Sequence, residues 1–321
     1  MNPNDDDRPL ADWEARSRPF PPAGMSVRMI PSNTFHVTLA FIPMKLGLVS
    51  NCWKTQLDAG SDLESLIDEG CQRGFSVVEL RQTCMGRFEQ GEIPLPDADA
   101  ITVLPQRFPG VRFNVAVQVP FLSSDMTILN TVFVVSSWAA QAVAGETPPH
   151  LRLVDLTTVG DAEDWANRDS IAERLAELTR TLIEIDGVLS VEHSRQPWEF
   201  FRTVFNSARE RLGTDADRLR LCYDPCNLLV PGDDVDPNEV TGSLAAVELS
   251  MVHFKQRCDG RTDTRVGDGD IDWKTQAELL AQMNYAGPGL FEVTSSEALW
   301  DDLEESIARL MSDGFKFDGR E

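Results

Sequence analysis

From residue 45 to about residue 311 the chain repeats one rhythm eight times: a short run rich in apolar and β-branched residues, followed by a longer stretch. The eight runs are KLGLVSN (45–51), FSVVEL (75–80), VRFNVAVQV (111–119), LRLVDL (151–156), GVLSVE (187–192), RLRLCYD (218–224), AAVELSMVH (245–253) and GLFEV (289–293). Several of the intervening stretches carry apolar residues at helical spacing. Residues 57–74 place Leu63, Leu66, Ile67 and Cys71 on one face and close on Gly74, residues 162–185 carry the stripe Ile171, Leu175, Leu178 and Leu182, and a helix begins at Pro197. Residues 127–143 and 296–311 complete the helical set.

Eight strands alternating with helices predict an α/β fold, a (β/α)8 or TIM barrel over residues 45–321. A doubly wound open sheet would normally show a glycine fingerprint after its first strand, and Ser50-Asn51-Cys52-Trp53 is not one. Residues 1–44 are expected to form a partly mobile N-terminal extension: the first 24 are rich in Pro, Asp and Arg, whereas residues 34–43 are apolar enough for a strand.

Charge narrows the partners. Fifty-two acidic residues against 29 Lys and Arg give a net charge of -23, which repels nucleic acid and anionic membrane surfaces. The six cysteines show no CxxC pair and no zinc spacing, so they are expected to be reduced, and the protein cytoplasmic. No segment resembles a signal peptide, and no apolar run approaches the roughly 18 residues of a membrane helix. The expected partner is a small molecule; a homo-oligomer is compatible with such a barrel.

In barrels of this kind the chemistry gathers at the C-terminal ends of the strands. Four consecutive strands end in residues able to ligate a divalent cation: Glu192 in the fifth (SVEH), Asp224 in the sixth (CYDPCN), His253 in the seventh (MVHF) and Glu292 in the eighth (LFEV). Neighbouring strands lie about 4.8 Å apart, so these side chains are expected to converge on one divalent ion. Three carboxylates and an imidazole suit Mn²⁺, Mg²⁺, Co²⁺ or Zn²⁺. A metal on two adjacent sugar oxygens and a carboxylate beside the neighbouring carbon are what proton abstraction next to a carbonyl requires.

The order Glu, Asp, His, Glu on strands five to eight, with Lys255 two residues after the His and the loop GDGDIDW beyond it, resembles the xylose isomerase-like superfamily of sugar isomerases and epimerases. Its branch of ketose 3-epimerases, hydroxypyruvate isomerases and inosose dehydratases is the nearest in pattern. The resemblance implies a metal held by Glu192, Asp224, His253 and Glu292, carbohydrate substrates, and Glu192 and Glu292 as the acid/base pair. It also implies a substrate contact at Arg257. Where relatives carry a second His three residues after the strand-six Asp, this chain has Asn227, and Gln256 stands where an Asp is usual.

Further candidates for substrate contact are Lys255, Asn227, Glu79 at the end of the second strand, and Trp53; Phe121, Trp198 and Trp273 are apolar candidates whose alternative role is core packing. His193 is expected to point away from the site, Asp272 to cap the next helix, and His36 and His150 have no evident partner. The same site would also serve a keto-inositol dehydratase, and a barrel that has lost turnover would serve as a binding module. An apurinic endonuclease, built on many histidines, is disfavoured by the four His of this chain.

Overall fold

The computed structural model describes residues 42–122, 127–232 and 234–320. Within them, eight parallel strands close into a barrel: β1 (Leu46–Val49), β2 (Val77–Arg81), β3 (Arg112–Gln118), β4 (His150–Val154), β5 (Val188–Glu192), β6 (Leu219–Tyr223), β7 (Leu249–Phe254) and β8 (Gly289–Phe291), with β8 pairing back onto β1. The larger helices are α1 (Leu63–Gln72), α2 (Thr127–Val143), α3 (Ala162–Ile183), α4 (Trp198–Leu212), α5 (Pro237–Ser243), α6 (Trp273–Gln282) and α7 (Leu299–Ser312). No helix among the described residues is long and apolar enough to cross a membrane. The apolar stretch 34–41, Trp13, Phe20 and His36 lie outside the described residues.

The expected helix over 57–74 is two helices, Lys54–Asp58 and α1, because Gly60 turns at φ +95° and Asp62 starts a new helix by accepting from the Ser65 amide. Asp272 likewise caps α6 through the Thr275 amide, as the sequence predicts. Pro197 stands one residue earlier than expected, as the N-cap of α4. Two features escape the sequence reading. A two-stranded ribbon, Glu89–Gln90 with Leu95–Pro96, and two short helices fill the connection between β2 and β3, and α5 precedes β7.

The main core lies between the strands and the surrounding helices. Phe254 on β7 is its densest aromatic contact, with ring centroids 5.1 Å from Phe315, 5.2 Å from Trp273 and 5.4 Å from Phe291. A second, smaller apolar cluster of Val49, Val77, Cys222, Met251 and Leu290 fills the barrel itself. Because side chains alternate along a strand, these five lie two residues before Asn51, Glu79, Asp224, His253 and Glu292 and form a floor beneath them.

Candidate metal centre and acid/base site

A bulge sets the site's most consequential side chain. The β6–β7 register runs Leu221 with Leu249 and then Cys222 with Met251, so Ser250 is an extra residue on β7, its hydroxyl donating to the Leu221 carbonyl at 3.1 Å. Strict alternation from Leu249, which faces the outer core, would turn His253 outward too; the extra residue reverses the parity. His253 thereby enters the barrel and is fully buried.

There it meets the expected carboxylates. Ligand atoms of Glu192, Asp224, His253 and Glu292 all lie within 4.8 Å of one another. His253 Nδ1 stands 3.5 Å from Glu192 Oε1 and 3.4 Å from Glu292 Oε2, yet is buried without a hydrogen bond. Its Nε2 is 3.2 Å from the Cys222 thiol, whose pKa burial pushes up to about 12, so that it stays protonated. The neutral tautomer with hydrogen on Nε2, the form a cation would bind, turns the Nδ1 lone pair into the cluster.

Lys255 and Asn227 join the same group. Lys255 Nζ lies 3.1 Å from Asp224 Oδ2 and 3.0 Å from Glu292 Oε2. Asn227 donates at 3.0 Å both to Glu192 Oε1 and to the His193 carbonyl. Burial raises the proton affinity of every carboxyl here, but the outcomes diverge. At Glu292 the Lys255 charge and His253 outweigh burial and hold the pKa well below the usual range; at Asp224 burial, with Glu292 and Glu192 beside it, outweighs Lys255 and the pKa rises. At His253 burial opposes the charged ring, while contact with Cys222 and the flanking Glu192 and Glu292 carboxylates overcomes it and raises the pKa, so a cation binding Nδ1 would displace a proton.

Arg152, at the centre of β4, is the principal residue the sequence reading lacks. It is 1% exposed and forms ion pairs with both Glu79 and Glu192. Its signal was present in the run LRLVDL, where a charged residue interrupts an apolar strand. Glu79 is accordingly not a rim carboxylate open to substrate: it is fully buried, with one oxygen on Arg152 and the other accepting from Asn114 Nδ2 at 2.6 Å. Two further candidates also lie elsewhere. Trp53 is wholly buried in the outer core beside Trp300, with ring centroids 6.5 Å apart, and Arg257, in a short antiparallel ribbon of Arg257–Cys258 with Arg261–Thr262, turns Nη2 back to bond the Gly260 carbonyl at 3.2 Å.

The remaining aromatic candidates are buried or half-buried core residues, Trp273 donating to the Lys255 carbonyl at 3.0 Å. His193 bonds the Gln196 carbonyl at 2.7 Å and packs on Trp198 and Phe201, away from the cluster as expected. His150 finds a partner in the Ser190 hydroxyl, 2.6 Å away. Gln256 anchors the following loop, donating to the Gly267 and Ile271 carbonyls and accepting from the Ile271 amide.

The donor set fits a divalent cation on two counts. Four buried carboxyl groups (Glu79, Glu192, Asp224, Glu292) face two permanent cations (Arg152, Lys255), leaving two negative charges when all are ionised. The unpartnered His253 Nδ1 sits among the carboxylates where a ligand atom belongs. Beside the cluster, a cavity of about 420 Å³ opens at the ends of β2, β3 and β4, lined by Arg81, Gln82, Gln118, Val154 and Arg152 among others.

A closed parallel barrel with a buried carboxylate and imidazole cluster at its C-terminal rim defines a class of (β/α)8 proteins with room for a metal. Residues 141–312, just over half the chain, match the family model described as xylose isomerase-like TIM barrel, and the chain belongs to that family. No curated protein sequence matches it. Among solved structures it is similar to the IolI protein with a bound zinc atom, at 16% identity and a TM-score of 0.60 over 84% of this chain and 96% of that one. It is also similar to a xylose isomerase domain protein from Alicyclobacillus acidocaldarius (15% identity, TM-score 0.59, 84% and 99% covered). A third is a D-allulose 3-epimerase from Methylomonas sp. in complex with D-allulose (15% identity, TM-score 0.57, 84% and 91% covered).

Proposed function

We propose that this protein is a divalent-metal-dependent isomerase or epimerase acting on a sugar or related polyol ketone. The observation that carries the reading is the convergence of Glu192, Asp224, His253 and Glu292 within 4.8 Å on adjacent strand ends. Family membership and two structural neighbours, a zinc-bound protein and a D-allulose 3-epimerase, support it. In this reading residues 45–321 form the catalytic domain, and those four side chains hold the ion.

When bound, the ion supplies Lewis-acid stabilisation for negative charge developing on a substrate oxygen. The chain's own residues do the rest. Glu192 and Glu292 belong to strands separated by β6 and β7, so they approach a substrate from different sides. One takes the proton from the carbon next to the carbonyl onto a carboxylate oxygen; the other, as conjugate acid, returns one. Glu192 is oriented by Arg152 on one oxygen and Asn227 on the other. Lys255, between Asp224 and Glu292, keeps Glu292 ionised and ready to accept. The cavity beside Arg152 gives a sugar-sized molecule room.

The test is the metal content of the purified protein by mass spectrometry, beside Glu192→Gln and His253→Ala. About one ion per chain, lost in both variants, is expected. Metal-loaded protein should then exchange a carbon-bound proton of a ketose or inosose with deuterated solvent. A wild-type protein that stays metal-free after loading with Mn²⁺ would refute the reading.

A further inference from the structure

The opposite end of the barrel carries an unusual charge. A cavity of about 370 Å³ opens at the N-terminal face, where Arg112 on β3, His150 on β4 and Arg220 on β6 line it together with Ser250, Asn284 and Tyr285. Among the described residues no Asp or Glu lines it, in a chain with 52 acidic residues. Neither arginine makes an ion pair among the described residues: the contact recorded for Arg220 is Nε to the Asp217 carbonyl at 2.8 Å, and the nearby Glu248 is spent on Arg202 at 2.9 Å. Among the described residues His150 bonds the neutral Ser190 hydroxyl and no acidic group.

Half-buried cations without counter-charges lose solvation and repel one another, so such a pair is a cost to the empty fold. Burial and the Arg220 charge both push the Arg112 pKa down, and burial with Arg112 and Arg220 does the same to His150. A stability device would pair these charges; a ligand site leaves them free. Guanidinium forks match the oxygens of a phosphate, the Asn284 amide adds a neutral hydrogen-bonding group, and the cavity takes more than a bare ion.

We propose that Arg112 and Arg220 form an anion-binding site for a phosphate group at the barrel's N-terminal face, separate from the carboxylate cluster. The site is coupled to that cluster by the chain itself. Arg112, His150 and Arg220 each stand two residues before a member of the interior network, Asn114, Arg152 and Cys222 respectively. An anion gripping β3, β4 and β6 would therefore stiffen the strands that carry Asn114, Arg152 and Cys222, the partners of Glu79, Glu192 and His253.

Inorganic phosphate is titrated calorimetrically into full-length protein at constant ionic strength, beside Arg112→Gln, Arg220→Gln, Arg112→Lys and the rim variant His253→Ala. Saturable one-site binding is expected, weakened at least 10-fold in each Gln variant, less in Arg112→Lys, and retained in His253→Ala. Phosphate at 100 times its dissociation constant should shift the wild-type folding equilibrium about 100-fold. Arg112→Gln should gain thermal stability in phosphate-free buffer and respond little to phosphate. Glycerol 3-phosphate, run in parallel, separates a phosphomonoester ligand from free phosphate by which binds more tightly. No saturable binding, binding in both Gln variants as tight as in wild type, or loss of binding in His253→Ala alone would each overturn the proposal.

Discussion

Arg152→Met places a side chain of similar length in the middle of β4 and removes the only guanidinium that touches both Glu79 and Glu192 among the described residues. Both carboxylates are then left almost fully buried, Glu79 with Asn114 and Glu192 with Asn227 as neutral donors. Removing one partner of a buried ion pair costs about 3–5 kcal/mol, and here one cation serves two anions, so the upper part of that range applies. The loss depends on pH. Burial raises the Glu192 pKa, but Arg152 outweighs it and the folded-state value lies below the usual one. Its contribution is therefore present above the unfolded pKa of about 4.3 and lost as pH falls through the folded value. In the variant the balance tips to burial and to Glu292, and Glu192 stays protonated to higher pH. Urea unfolding of chelator-treated protein at pH 7.5 and pH 5 should show a gap between wild type and variant that is wide at pH 7.5 and narrower at pH 5. Adding Glu79→Gln should recover part of the loss. A gap under about 1 kcal/mol, or one equal at both pH values, would refute the assignment of Arg152 as the counter-charge of the barrel interior.

Three further outcomes are expected. Burial, then Arg112 and Arg220, hold the His150 pKa well below 6.5, so its neutral form is favoured in the fold and stability is lost as pH drops below 6.5; wild type should lose up to about 1.4 kcal/mol per pH unit there that His150→Gln does not. Comparing urea midpoints of the two proteins from pH 7 to pH 5 checks this, parallel curves counting against it. Gly269→Ala would place a Cβ against the Arg257 carbonyl oxygen and 2.5 Å from Gln256 Cδ, costing roughly 1–3 kcal/mol and freeing the loop that Gln256 anchors; faster proteolysis within residues 263–272 is the readout. Phe254→Ala, emptying the aromatic centre behind β7, should cost about 3–5 kcal/mol in the same urea assay.

The barrel is legible in the sequence because each strand is a short apolar run bounded by polar residues, and eight such runs alternating with helices satisfy few other topologies. The parts that escaped lie where that rhythm carries no information. The ribbon Glu89–Gln90 with Leu95–Pro96 is held by local hydrogen bonds, such as Gln82 Nε2 to the Pro94 carbonyl at 2.8 Å, rather than by a repeating apolar pattern. The helix break at Gly60 was marked by the glycine and by Asp62, and the apolar stripe from Leu63 to Cys71 begins only after them.

The four cluster residues were legible for a different reason: each ends a strand, and strand ends of a parallel barrel share one rim. Their neighbours were not, since what decides them is the parity of side chains inside a closed sheet. Glu79 reads as a rim residue because it lies near the end of its run, yet β2 continues to Arg81 and leaves it one layer down, where only a buried cation can satisfy it. That cation is Arg152, which reaches Glu192 on the adjacent β5 and, across β3, Glu79 on β2. His253 shows the limit from the other side. Alternation read from Leu249 would expel it, and the bulge at Ser250 that admits it depends on a pairing register no single strand reveals. The interior is therefore a charge network before it is a site. Arg152 binds Glu79 and Glu192, Lys255 binds Asp224 and Glu292, and His253 stands between Glu192 and Glu292 with one nitrogen unspent. A cation placed at that nitrogen would meet carboxylates whose charge Arg152 and Lys255 offset only in part, and this residual negative charge ties the proposed chemistry to the fold.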